Sequence, residues 1–262
     1  MIFKPKKSLG QNFLIDQNII KKIVSITKIK DKEVLEIGPG SGNLTKTILE
    51  KNPKKFYVVE KDSSLCEILK NKFQNKIEII NNDILEINEN NISKNELLVF
   101  GNLPYNISTE ILCRWILNLK SEFWFSELVL MFQKEVADRI LANKNQSNFG
   151  RLAIISNWKL SIKKMIDIKA NSFFPKPKID STLLHFMPKK NYNEIKDSKN
   201  LEIITRVFFN QKRKMIKKPI KQIFKNPEKI YKKFNIDPNL RPQNLSLETY
   251  YELANEYEIL KR

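Results

Sequence analysis

Apolar residues change their spacing along this chain. Up to about residue 187, short β-branched and aromatic runs alternate with stretches of helical period. The strand-like runs are 33–37 (EVLEI), 55–60 (KFYVVE), 76–81 (KIEIIN), 97–100 (LLVF) and 127–132 (ELVLMF). Between them, 44–51, 63–73 and 108–119 place apolar residues three and four apart. This alternation predicts βαβ units and a mostly parallel sheet. The run 152–158 (LAIISNW) is apolar nearly throughout, and its period does not separate helix from strand. Two further strands are expected at 162–168 and 182–187, split by the proline-rich SFFPKPKID. The polar stretch 189–200 (KKNYNEIKDSKN) has no apolar period and predicts a boundary between domains 1–188 and 189–262. Beyond it, breaks at Pro219, Pro227, Pro238 and Pro242 leave short helical segments, which predict a small helical domain.

Of the 262 residues 41% are hydrophobic, enough to bury a core. No stretch approaches the ~20 apolar residues of a membrane-spanning helix, so no membrane role is expected. The start, MIFKPKKSLGQ, is basic without the apolar centre of a secretory signal. Cys66 and Cys113 are isolated, as free thiols of a cytoplasmic protein would be. The single histidine, His185, sits in the strand-like LLHFM and reads as structural. No metal-ligand constellation stands out, and no apolar helix is left over for a dimer, so a monomer is expected.

The formal net charge is +18, which points to a polyanion, nucleic acid before acidic membrane. A genomic bias toward lysine is the plainer explanation, and the distribution of charge separates the two. Residues 206–233 hold eleven lysines and arginines against one acid, Glu228, a local net of +10. On a helical wheel Ile216, Ile220, Ile223 and Phe224 share one face, and Lys214, Lys218, Lys221 and Lys225 the other. An anchored back and a cationic front suit phosphates. Pro219 must kink that helix or start a new one.

Three of only six glycines fall at 38, 40 and 42, in VLEIGPGSGNLT, a strand-to-helix turn. Glycine there allows a ligand close to the backbone, although the spacing is GxGxG rather than GxGxxG, and a plain tight turn also accounts for it. Glu60 ends the next strand, 22 positions after Gly38, where an acid can accept bonds from ribose hydroxyls. Asp83 ends the third strand, with a turn or cap role as its simpler explanation. Ends of parallel strands line one crevice, so Gly38, Glu60 and Asp83 should converge on a nucleoside. NAD and S-adenosylmethionine both satisfy that much.

The fourth strand separates them. It runs into GNLPYNIS (101–108), an element that hydride transfer does not need. The exocyclic amine of adenine is a weak nucleophile because its lone pair is delocalised into the ring. Acceptors on its N–H groups favour a pyramidal, reactive nitrogen. The side-chain oxygen of Asn102 and the carbonyl of Leu103 are two such acceptors. Pro104 fixes the backbone without an N–H of its own, and Tyr105 offers a ring for stacking. A sulfonium is already an activated leaving group, so positioning and hydrogen bonding suffice and no strong base is required.

KSLGQNFLID, EIGPGSGNLT, VVEKD, NND, GNLPYNIS, QKEVADR and FFPKPKIDS occur in the order seen in KsgA/Dim-type ribosomal RNA adenine dimethyltransferases, and the resemblance covers almost the whole chain. It implies an α/β fold, a Rossmann-like class I methyltransferase domain with a small C-terminal helical domain. It implies S-adenosylmethionine as donor and two methylations on each of two adjacent adenines near the 3′ end of 16S rRNA, within the immature small ribosomal subunit. By residue, it implies donor contacts at Asn12, Leu14, Gly38, Glu60, Asp83 and Asn102. Asn102, Leu103, Pro104 and Tyr105 would hold the target amine. Phe173 matches the phenylalanine of the family's FxPxP and would stack on the flipped base, with Phe174 as an extra ring beside it. Lys212, Arg213 and Lys214 stand where the family often has Arg-Arg-Lys and, with Lys218 and Lys221, would contact RNA. Two alternatives stay open: a ribosome-assembly binding factor whose catalysis is secondary, and an Erm-type methyltransferase of 23S rRNA. Pro39 and Leu103 point away from the latter, which more often reads EIGTG and N-I-P. The related mitochondrial transcription-factor branch is disfavoured because nothing here resembles a transit peptide.

Overall fold

A computed structural model describes residues 5–6, 10–120 and 122–260, so the Lys-Ser-Leu that opens KSLGQNFLID lies outside the described residues. The expected strands form as β2 (Glu33–Ile37), β3 (Lys55–Glu60), β4 (Glu78–Asn81), β5 (Leu97–Asn102) and β6 (Phe125–Gln133). Between and after them lie α2 (Asn43–Leu49), α3 (Ser63–Phe73), α4 (Ser108–Asn118) and α5 (Lys134–Ile140). The ambiguous run is helical, α6 (Arg151–Lys159). Then come β7 (Leu160–Ile168) and β9 (Ser181–Pro188). Not predicted by the periodicity are α5, α1 (Gln17–Val24), capped by Asp16, and a two-stranded antiparallel ribbon of β1 (Phe13–Leu14) with β8 (Phe173–Phe174).

The main sheet has the order β4-β3-β2-β5-β6-β9-β7. The strands from β4 to β6 are parallel, and β9 runs antiparallel to β6. Strands covered on both faces should be apolar throughout rather than alternating, and Leu97–Phe100 are all at or below 1% exposure. The register sets the site. Ile37 pairs with Val59 and Gly101, and Val59 with Ile80, so β2, β3, β4 and β5 end level at one edge. His185 is buried, its Nε2 2.8 Å from the Glu127 carboxylate on the neighbouring strand. It is a strand-to-strand tie.

Two compact units result, and they do not follow a single cut of the chain. One comprises Met1–Ile111, Lys120–Ala137 and Ile162–Pro188; the other comprises Leu112–Leu119, Asp138–Ser161 and Lys189–Arg262. The expected boundary at 188/189 therefore leaves out part of the second unit. The physical reason is α6. It is buried nearly all round and belongs with the C-terminal helices, where Tyr251 donates to the Ile154 carbonyl at 2.8 Å. The C-terminal helices are α7 (Ser198–Phe209), α8 (Lys217–Ile223), α9 (Pro227–Phe234) and α10 (Leu247–Leu260). Phe149, Phe208, Phe209 and Tyr250 form their aromatic centre.

Candidate active site

A cavity opens in the first unit where β2 to β5 end. Gly38, Gly40, Glu60, Asp83 and the turn 102–106 line it, together with Gly10–Phe13. The glycine turn is conformationally demanding. Gly40 has φ +57°, and a Cβ there would lie 2.5 Å from the Phe13 ring; Gly42 has φ +77° and would collide with Phe73 in the same way. No other residue fits either position without moving a packed ring.

Glu60 is 8% exposed at the end of β3. Its Oε2 accepts the Gly40 N–H at 3.2 Å and its Oε1 the Asp62 N–H at 2.9 Å. Burial pushes its pKa up, against those backbone bonds. Asp83 caps the short turn after β4, accepting from Leu85 N–H at 2.9 Å, and is paired with Lys61 at 2.7 Å. Both the cap and the cavity position expected for it are thus present in one side chain. Behind the turn, Glu36 accepts from the Thr45 hydroxyl at 2.7 Å. It is fully buried, and burial pushes its carboxyl up to about 8.

The GNLPY turn is fixed from two distant directions. Asn102 Nδ2 donates to the Asn12 carbonyl at 2.7 Å. With its amine so engaged, the amide turns its oxygen, an acceptor, to other partners. The Tyr105 hydroxyl lies 2.6 Å from Ser181 Oγ, itself wholly buried at the start of β9. Burial raises the phenol's pKa, so it stays neutral and serves the ring's orientation. Ile107 N–H closes the turn onto the Pro104 carbonyl at 3.1 Å.

Two expected residues lie elsewhere. Leu14 and Phe173 face each other across the ribbon and both sink into the core, at 5% and 2% exposure. Phe173 does not line the cavity, and Leu14 lines only a smaller pocket beside it, with Gly38, Asn43 and Asn102. Alternation along a strand is the reason, because it turns successive side chains to opposite sides. Phe13, unpredicted, is the ribbon's ring in the cavity wall. The Leu14 carbonyl is taken by the Asn43 amide at 2.9 Å.

Gln11 and Asp62 were also missed. Gln11 Nε2 donates to Asp62 at 3.0 Å, and Lys6 joins the same carboxylate at 2.8 Å. Burial alone would raise the Asp62 pKa, but the bonds from Lys6, Ser64 and Gln11 hold it down to about 2. This ties the segment carrying Asn12 to the end of β3. The signal was in the sequence: Gln11 opens the QNFL and Asp62 closes the VVEKD already singled out.

In the second unit, residues 206–233 are not one helix. The chain leaves α7 at Phe209, turns, and re-enters helix at Lys217 with Pro219 in the first turn, where a missing N–H costs nothing. The apolar anchor holds: Ile216, Ile220 and Phe224 are at or below 1% exposure, and Ile223 is half-buried. Arg213, Lys214, Lys218 and Lys221 are exposed. Lys212 is half-buried and donates to the Ser147 carbonyl at 2.6 Å. Its pKa is lowered by that burial and then by Arg139, so it is a tie within the unit as much as a surface charge.

Among the described residues no helix is long and apolar enough to cross a membrane. Comparison with known proteins places this geometry. Residues 2–258 match the family model described as ribosomal RNA adenine dimethylase. The chain is 63% identical over 261 residues, all of both chains, to a "Ribosomal RNA small subunit methyltransferase A" of Pelagibacter ubique. It is 40% identical to the protein of the same name from a Wolbachia of Drosophila simulans, over 99% of this chain and 96% of that one. A dimethyladenosine transferase from Plasmodium falciparum superposes with a TM-score of 0.79 at 26% identity, over 94% of this chain and 98% of that one. The 23S rRNA methyltransferase ErmE shares the fold, with a TM-score of 0.68 at 21% identity over 95% and 100% of the two chains. The chain is a member of the ribosomal RNA adenine dimethylase family.

Proposed function

We infer that the protein dimethylates the N6 amines of adenines in small-subunit ribosomal RNA, with S-adenosylmethionine as donor. The finer reading is two adjacent adenines near the 3′ end of 16S rRNA, methylated in the cytoplasm by a monomer acting on the immature small subunit. The observation that carries the chemistry is the Asn102 amide. Its amine is bound to the Asn12 carbonyl at the cavity wall, which commits the oxygen to accept from a substrate N–H. The Leu103 carbonyl is the second acceptor, and the Tyr105 ring, held through Ser181, supplies a face for the base.

The residues fit the donor. Gly38 and Gly40 line the cavity, and both take a positive φ, +66° and +57°, that lets the turn bend back beneath it. Glu60, whose oxygens each hold one backbone N–H, keeps lone pairs for ribose hydroxyls, and Asp83 lines the same cavity. The donor supplies an electrophilic methyl on sulfur. The chain's own residues orient the amine, polarise its N–H bonds and exclude water around it. The proton lost from nitrogen leaves after transfer, so the cavity can work without a histidine, and His185 is not among the residues that line it. The names of the 63% and 40% identical relatives favour the small subunit over the Erm-type alternative.

The test uses tritiated S-adenosylmethionine with immature small subunits, mature small subunits and large-subunit RNA in parallel. Dimethyladenosine labelled only in immature small subunits is expected. Label in large-subunit RNA moves the assignment to the Erm-type reaction. Binding of immature subunits without any label leaves an assembly factor that has kept the pocket and lost the chemistry.

A further inference from the structure

The β1–β8 ribbon carries a ring that neither core nor cavity uses. Cross-strand partners in an antiparallel pair project to the same side, and successive residues to opposite sides. Leu14 and Phe173 share the inner side. Phe13 and Phe174 therefore share the other. Phe13 packs against Gly40 in the cavity wall. Phe174, directly opposite it, does not line the cavity and is 57% exposed, the one phenylalanine among the exposed large hydrophobics of the described residues. Ile15 extends the same side at 47% exposure, its N–H bonded to the Ser172 carbonyl at 2.9 Å. Lys176 and Lys178 follow in the chain, both exposed. The nearby Asp180 is already paired with Lys169 at 2.9 Å, and it also accepts the Ala170 N–H.

An exposed aromatic ring beside a cavity and followed by lysines is the equipment of a single-strand nucleic-acid platform: the ring stacks a base and the cations meet its phosphates. We propose that Phe174 stacks the base flanking the target adenine, with Lys176 and Lys178 on the adjoining phosphates. This rests on the function proposed above. An adenine that leaves its stack to enter the cavity strips its neighbour of a stacking partner. Cross-strand residues stand about 5 Å apart, so a base on Phe174 sits beside the cavity while the target lies within it. A contact of this kind is made equally before and during methyl transfer, so it acts on KM and leaves kcat alone.

Methyl transfer to immature small subunits by wild type, Phe174→Ala and Phe174→Trp tests this, with donor Kd and Tm measured on each protein. Phe174→Ala should raise KM roughly tenfold, as expected for one lost base–aromatic stack. Its kcat, donor Kd and Tm should not move, and Phe174→Trp should keep the wild-type KM. A photoreactive phenylalanine at position 174 should cross-link to a nucleotide adjacent to the methylated adenine. An unchanged KM in Phe174→Ala overturns the proposal, as does a cross-link to the methylated adenine itself or a fall in Tm that accounts for the loss. Silence of the wild type on every RNA overturns the proposed function and this inference with it; that case is distinguishable because it does not depend on position 174.

Discussion

Asn102 and Tyr105 each reach their place through one polar bond to a remote part of the chain, Asn12 ninety residues away and Ser181 seventy-six residues away. The lysines of 206–233 are held differently. Ile216, Ile220 and Phe224 anchor the backbone, while the ammonium groups of Lys214, Lys218 and Lys221 stay in solvent. The contrast separates two kinds of requirement. An acceptor for a reacting amine must be right to a fraction of an ångström, so it is fixed by directional bonds. A cation that meets phosphate needs only to be near, because the Coulomb term falls slowly with distance. Damage should therefore be concentrated in the first region and spread thinly over the second.

The largest effect belongs to Asn102→Ala. It removes the acceptor proposed for the amine and frees the Asn12 carbonyl that the Asn102 amide holds at 2.7 Å. Loss of one preorganised polar group at the reacting centre lowers kcat by about 10²–10³. Single-turnover transfer to immature subunits measures this, with donor Kd followed by calorimetry. A kcat within threefold of wild type would remove Asn102 from the chemistry and dissolve the contrast.

Phe173→Ala comes next, and it acts on stability. Its ring is 2% exposed in the core behind the ribbon, and emptying such a site costs about 3–5 kcal/mol. Urea denaturation should show an unfolding free energy lower by that amount, read as a lower midpoint at an unchanged slope. If instead the midpoint holds and KM for RNA rises, Phe173 stacks on the base, as the family resemblance implies.

These two residues also show what the sequence reveals and what it hides. The parallel sheet was legible because β2, β3 and β5 are short apolar runs between helical periods. Their common edge followed from topology, and with it the convergence of Gly38, Glu60, Asp83 and Asn102. The Phe173 position was not legible. A two-residue ribbon has too little length to show a period, so which of two adjacent phenylalanines turns inward is decided by pairing with Phe13–Leu14, some 160 residues away. The helix α6 hid for the opposite reason: buried on nearly every side, it has no polar face to betray its period. Gln11 and Asp62 lay inside recognised motifs, but their mutual bond is a tertiary fact. In the second unit, the lysine face and its apolar anchor were readable, whereas the break at 210–216 depended on where the chain could restart a helix around Pro219.

The smallest effect per residue is expected among the lysines. Each phosphate contact lowers the slope of log affinity against log salt by roughly 0.7–0.9. Replacing Lys214, Lys218 and Lys221 together with alanine should flatten that slope by roughly 2, while each single substitution changes it by less than 1. Donor binding should be untouched, because none of the three lines the cavity. Filter binding of immature subunits across a salt series reads this directly. Near-additive losses would confirm a diffuse electrostatic face whose members act independently. A single lysine that carried most of the loss would mean a directional contact at that position, and the segment would then work like the Asn102 turn, by placement instead of by charge. An unchanged slope would make the +10 segment a solvated face of the unit, and RNA affinity would have to come from the ribbon and the cavity alone.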